Sequence, residues 1–191
     1  MENQVKNKKK EKRNTFILFW NPTISNCEIS DFQDFICNNT DISWSIWDYQ
    51  QAKIGDRFYM VRCGEGNTGI IMCGTFASNP FWGEDWSEQE RDNMHYIKLS
   101  QEMYFSPEHC TILTTAELQA AIPDFDWTGG HSGRLLDPES AEKLEEMWEK
   151  FLGNKETITL IDDDDIMVLP HFDYLSRQKG GCGHLFCLLL H

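Results

Sequence analysis

Three short groups in this chain join a ring or a pliant backbone to a hydrogen-bonding side chain: Trp20-Asn21, Trp44-Ser45 and Ser132-Gly133-Arg134. Chemistry of that kind suits the capture of a nucleobase. A base taken out of a duplex, or met single-stranded, is held between aromatic faces and read by hydrogen bonds to its edge. Stacking contributes roughly 1–3 kcal/mol per base and tolerates any base, so selectivity must come from edge donors and pocket shape. Trp20 brings an indole with the Asn21 amide, and Trp44 an indole with the Ser45 hydroxyl. For both tryptophans two readings stand open, pocket wall or core. Trp47, Tyr49 and Trp127 read first as core or rim residues with a hydrogen-bonded polar tip. Trp82 and Trp86 lie among Glu84, Asp85 and Glu88, where a ring can cover a base or fold back onto the body.

Catalytic patterns are incomplete. Gly130-His131-Ser132-Gly133 is one residue short of the G-x-S-x-G elbow that exposes a nucleophilic serine. There is no H-x-E with P-C-x-x-C, as a zinc deaminase requires, and no P-loop. Cys182, His184, Cys187 and His191 have none of the usual zinc spacings. Asp162–Asp165 is a carboxylate run without the interleaved spacing or glycine of a calcium loop. The expectation is a binding protein rather than an enzyme, with no catalytic residue, metal or cofactor.

The bulk composition is that of a globular chain: 191 residues, 40% hydrophobic and 13% aromatic, with seven Trp and twelve Phe. That many rings supply a ring-rich core, an aromatic pocket, or both. No run approaches the ~18–20 apolar residues of a membrane span, and the Lys-rich N-terminus lacks the apolar stretch of a signal peptide. The seven cysteines (27, 37, 63, 73, 110, 182, 187) are odd in number and irregularly spaced, which reads as free thiols in a reducing, cytoplasmic setting. Net charge is −14, unevenly spread. Residues 1–13 carry six basic side chains against Glu2 and Glu11, a net +4 that leaves −18 on the remainder. A basic arm of this kind can touch phosphate, or serve only solubility.

These groups need elements to hold them. Thr15–Asn21 (TFILFWN) reads as a buried strand ended by Pro22. Ser30, with Gln33 three residues on, reads as the N-cap of a helix bearing Phe32, Phe35 and Ile36. The Lys53–Asp56 turn feeds a strand over Arg57–Cys63, and Gly64–Gly69 turns into a second over Ile70–Ser78. Residues 79–93 read as one long polar loop, followed by a strand over His95–Leu99. Thr114 with Glu117 is a capping box opening a helix through Ala121. Asp137 as cap, Pro138 at the first position and Gly153 as stop delimit the last helix, whose stripe is Ala141, Leu144, Trp148, Phe151 and Leu152. With no βαβαβ alternation, this order predicts an α+β fold: a mixed barrel of five or six strands with covering helices. The organisation expected is a disordered basic tail over 1–14, one domain over 15–153, and an extension over 154–191 with room for one more strand pair within Asn154–Leu169, interrupted by Asp162–Asp165.

Four segments, taken in order, resemble the PUA-like domain of EVE-type modified-base readers, found fused to HNH and McrBC-type restriction endonucleases. They are FILFWNP; Trp44 with AKIGDRFYMVRCGEGNTGIIMCGTFASNPF; HYIKL; and DFDWTGGHSGRLLDPESAEKLEEMWEKF. The chain departs from the pattern at Gly129-Gly130, where the family has a Pro-Gln pair, and it carries no nuclease module. The resemblance implies a PUA-like β-barrel that recognises a modified base in DNA or RNA, in restriction and defence or in RNA metabolism. A separately encoded nuclease would be a partner, and no membrane is involved. It also implies a nucleobase site built from Trp20, Asn21, Trp44, Ser45, Ser132 and Gly133, with Arg134 holding a phosphate at the mouth. The rival expectation is a protein–protein adaptor that kept the barrel and lost nucleic-acid binding, which the −18 body favours.

Overall fold

The computed structural model describes residues 13–38, 42–84 and 94–153. Its centre is a pair of strands that run parallel, β1 (Thr15–Trp20) and β3 (Arg57–Arg62), joined through α1 (Ile29–Asn38), β2 (Ile42–Ser45) and a 3-10 turn (Tyr49–Gln51). β4 (Gly69–Phe76), β5 (Phe81–Gly83), β6 (Met94–Tyr104), β7 (Leu113–Thr114), α2 (Thr115–Ala121), β8 (Arg134–Leu136) and α3 (Pro138–Gly153) follow. The described residues form an eight-stranded sheet with the path β2-β6-β4-β3-β1-β8, while β5 adds to β6 and β7 to β4. The sheet curls into a mixed half-barrel with helices against it, the α+β architecture expected from the sequence but with eight strands among the described residues where five or six were expected.

All six residues of β1 are buried. Flanked by β3 on one side and antiparallel β8 on the other, β1 has no solvent face, so its sequence shows no alternation. Phe16 and Phe58 both pack on Phe76, with ring centroids 5.2 and 5.9 Å away. β4 and β6 approach so closely at a register shift between Cys73 and Gly74 that a Cβ on Gly74 would lie 2.1 Å from the Ser100 carbonyl oxygen. Glycine is required there by space.

Three boundaries differ from the sequence reading. α1 begins at Ile29, so Ser30 lies inside it. The reach-back comes from Asp31, whose Oδ2 accepts the Glu28 backbone N–H at 2.7 Å; a carboxylate in the first turn also meets the positive end of the helix. The 79–93 loop contains β5, paired as Phe81↔Tyr96, Trp82↔His95 and Gly83↔Met94. Three residues are too few to show a period, so only the partner strand defines β5. β6 runs on to Tyr104 because its polar stretch Ser100–Gln101 is paired with Gly74 and Thr75 of β4. Residues 1–12, 85–93 and the expected strand pair after 154 lie outside the described residues.

The local signals at both later helices appear as read. Thr114 Oγ1 accepts from the Glu117 backbone N–H while Glu117 Oε2 accepts from the Thr114 N–H, a complete capping box. Asp137 Oδ1 accepts from the Glu139 and Ser140 backbone N–H groups, and hydrogen bonding from the Ser140 side chain first, then from these backbone groups, holds its carboxyl below the usual range. α3 docks through Leu144 and Trp148, the latter edge-on to Tyr59 at 5.5 Å and Phe105 at 5.7 Å. A charged seam finishes this contact. The Tyr59 hydroxyl donates to Glu145 at 2.6 Å, and buried Arg57 pairs with Glu102 at 2.5 Å and Glu145 at 3.8 Å. A buried guanidinium with two half-exposed carboxylates is a compensated arrangement; removing either partner would leave charge behind. Cys27, Cys63, Cys73 and Cys110 are free thiols. Among the described residues no helix is long and apolar enough to cross a membrane.

Candidate functional site

The two tryptophans that could wall a pocket are both inside. Trp20 is 0% exposed and donates its indole N–H to the Cys27 carbonyl at 2.8 Å. Trp44 is 4% exposed; its indole N–H reaches Ser132 Oγ at 2.9 Å and the Phe19 carbonyl at 3.3 Å. Phe32 of α1 packs against both rings, edge-on to Trp20 at 4.8 Å and stacked with Trp44 at 5.8 Å. A side chain of the protein thus holds the place between the two indoles. Asn21 sits at the strand end, its Oδ1 accepting the Thr23 N–H at 3.0 Å.

Ser132 and Gly133 have a defined structural task. The Trp47 N–H donates to the Ser132 carbonyl and the Asp48 N–H to the Gly133 carbonyl, at 2.9 and 3.0 Å. The Gly133 N–H in turn donates to Ile17 of β1, and the Leu135 N–H to Asp48 Oδ2. These bonds stitch the continuation of edge strand β2 to the approach of edge strand β8, closing one end of the curled sheet. Inside the seam, Ser132 Oγ accepts from both the Phe19 backbone N–H and Trp44 Nε1. Gly133 has φ +78°, and a Cβ there would lie 2.5 Å from Ile46 Cα, so both conformation and space demand glycine. Arg134 lays its guanidinium over the Phe125 ring, 4.6 Å from its centroid; the Asp126 carboxyl nearby is held below its usual range by hydrogen bonds from the Thr128 hydroxyl and N–H, with Arg134 a smaller contribution.

Outside this seam lies a set of rings that the core does not need. Trp47 is 58% exposed, with His131 stacked on one face at 3.7 Å and 8° between planes. Trp82 is 64% exposed and meets His95 at 3.9 Å, while Tyr49 stacks on the same imidazole at 3.4 Å and 6°. Pairing across three strands assembles them: Ser45 faces Tyr96, the Ile46 N–H donates to the His95 carbonyl, and Trp82 pairs with His95. Ser45 is half-buried in this corner. Of the residues expected at the site, the structure sets Ser45 and Ser132, both half-buried, beside these rings, and Trp20, Trp44 and Gly133, all buried, behind them. Trp127, read as core or rim, is core, its indole N–H donating to the Ile122 carbonyl.

His95 and His131 were not singled out in the sequence. The only available signal was their placement among polar and glycine residues beside rings, which does not distinguish a stacking imidazole from a solvated one. Among the described residues no group of three or more His, Cys, Asp or Glu side chains is placed to hold a metal ion.

No family model matches the chain, and no curated protein matches it significantly. Solved structures do match in fold. A hypothetical protein from Leishmania major superposes with a TM-score of 0.52 at 10% identity, over 74% of this chain and 98% of that one. Protein PSPTO5229 from Pseudomonas syringae gives 0.50 at 14% identity, over 70% and 98%. The complex of the YTH domain-containing protein mmi1 with RNA gives 0.45 at 8% identity, over 76% and 87%. That last superposition is too loose to carry either fold or function across.

Proposed function

We propose that this domain binds nucleic acid by stacking an unpaired, modified nucleobase on the rim rings Trp47 and Trp82. The observation that carries the reading is the exposure of two indoles near one another in the fold, Trp47 with an imidazole stacked on it and Trp82 with one tilted against it. Exposed rings grouped in this way mark interaction surfaces, and a base is a planar partner that an exposed indole fits. Ser45 lies beside the rings, while Trp20, Asn21, Trp44, Ser132 and Gly133 support the corner from within. The resemblance to modified-base readers described above implies the same ligand class, with the base held at Trp20 and Trp44 rather than on these rings. A separately encoded nuclease would then supply any cleavage in restriction, the domain itself only recognising the base.

The test is intrinsic tryptophan fluorescence with short single strands carrying modified or unmodified bases, at near-physiological salt, where repulsion between the acidic chain and phosphate is screened. Trp47→Ala and Trp82→Ala should each weaken binding by roughly 1–3 kcal/mol and leave the urea midpoint almost unchanged. Absence of binding to every strand would remove the base-reading proposal. The adaptor reading would then take its place, favoured by the exposed Ile24 and Ile54 side chains on an acidic chain.

A further inference from the structure

We infer that the ring this rim selects is a cationic one: an N-alkylated nucleobase with a fixed positive charge. The inference rests on the base-binding reading above and names the ligand class. Stacking alone does not discriminate among bases, so the discriminating term must come from the surroundings. The chain carries net −14, and a field of that sign repels phosphate while drawing in cations. Open indole faces add to this, because the ring quadrupole attracts a positive charge placed over it, most strongly for tryptophan.

The immediate neighbours agree. Asp48 follows Trp47 in the chain, and one of its carboxylate oxygens is fixed by the Leu135 N–H at 2.7 Å. Glu84 follows β5, directly after Trp82 and Gly83. Arg134, next to the seam residue Gly133, lies over the Phe125 ring. Lys53, after the 3-10 turn, and Lys98, on β6, are the other cations on these elements. On the inner faces the protein already stacks planar nitrogen heterocycles, His131 on Trp47 and His95 against Trp82 and Tyr49. A planar purine against the exposed indoles repeats that ring-on-ring contact.

The experiment compares 7-methylguanosine with guanosine, which share size and ring system and differ in the fixed charge. Neither bears phosphate. Tryptophan quenching by the full chain should give roughly two- to fivefold tighter binding of 7-methylguanosine, the order expected of cation–π attraction at exposed rings. Adding a 5′-monophosphate should not tighten it. Asp48→Asn keeps an acceptor for the Leu135 N–H and removes the charge, so it should shrink that preference and leave guanosine unaffected. Equal binding of the two nucleosides overturns the cation inference and leaves base reading intact. Oligonucleotide binding with no binding of either nucleoside overturns it in the same way. Silence toward nucleosides and all oligonucleotides removes both.

Discussion

Replacing Ser132 by alanine takes away one oxygen that two donors share. Ser132 Oγ lies 3.0 Å from the Phe19 backbone nitrogen and 2.9 Å from Trp44 Nε1. Trp44 has a second acceptor, the Phe19 carbonyl at 3.3 Å, so its N–H is not orphaned. The Phe19 N–H is left facing the apolar interior. An unsatisfied buried donor costs about 1–3 kcal/mol, and the small void adds little, so Ser132→Ala should lose roughly 1–3 kcal/mol rather than twice that. For a domain of this size such a loss lowers Tm by roughly 2–12 °C. The assay is urea unfolding, in which the midpoint should fall with an unchanged slope. Trp44→Phe removes one of the two donors, so the double mutant should show a coupling of about 0.5 kcal/mol or more. A Ser132→Ala effect below about 0.5 kcal/mol, additive with Trp44→Phe, would refute the hydroxyl as the pin of the seam.

Trp148→Ala should cost about 3–5 kcal/mol as a core truncation, because α3 docks through this ring, and chemical denaturation reads the loss directly. Gly74→Ala should destabilise by more than Trp148→Ala or prevent folding, since the added carbon meets Ser100 backbone; normal expression and melting would contradict the close approach of β4 and β6. Burial pushes the Cys27 and Cys73 thiols from 9.0 up to about 12, with Asp31 adding to the effect at Cys27 and Arg57 opposing it at Cys73. A group whose folded pKa is raised contributes stability that is complete below its unfolded value and is lost as pH climbs to the folded one. Stability should therefore decline between pH 9 and about pH 12. Serine at both positions should flatten that decline in a pH series of urea midpoints.

Much of the fold is legible locally. The Thr114 and Asp137 caps use acceptors and donors within three residues, so the residues that form them lie together in sequence. The α3 stripe depends only on helical period, and Leu144 and Trp148 are buried as that period predicts. The all-apolar run of β1 announces a strand covered on both faces. The base of α1 shows the limit of such reading: Ser30 and Asp31 are both good first-turn residues, and which one serves the end depends on where the preceding chain arrives.

The site is different in kind. Trp20, Trp44, Trp47 and Trp82 are the same residue type beside similar polar neighbours, yet two are core and two are open to solvent. Their fates are set by partners distant in the chain. Phe32 fills the space between Trp20 and Trp44, Ser132 reaches Trp44 across 88 positions, and Trp82 gains its strand only from pairing with His95. The sequence by itself determined a ring-rich, capped α+β chain with a glycine-bearing loop before its last helix, because propensity, period and capping act within a few residues. Tertiary structure alone decided that β1 runs parallel to β3, that Trp47 and Asp48 meet Ser132 and Gly133 in a closing seam, and that the rings outside it stay uncovered. Those outcomes are hydrogen bonds and contacts between segments dozens of residues apart, whose pairing depends on how the whole sheet curls.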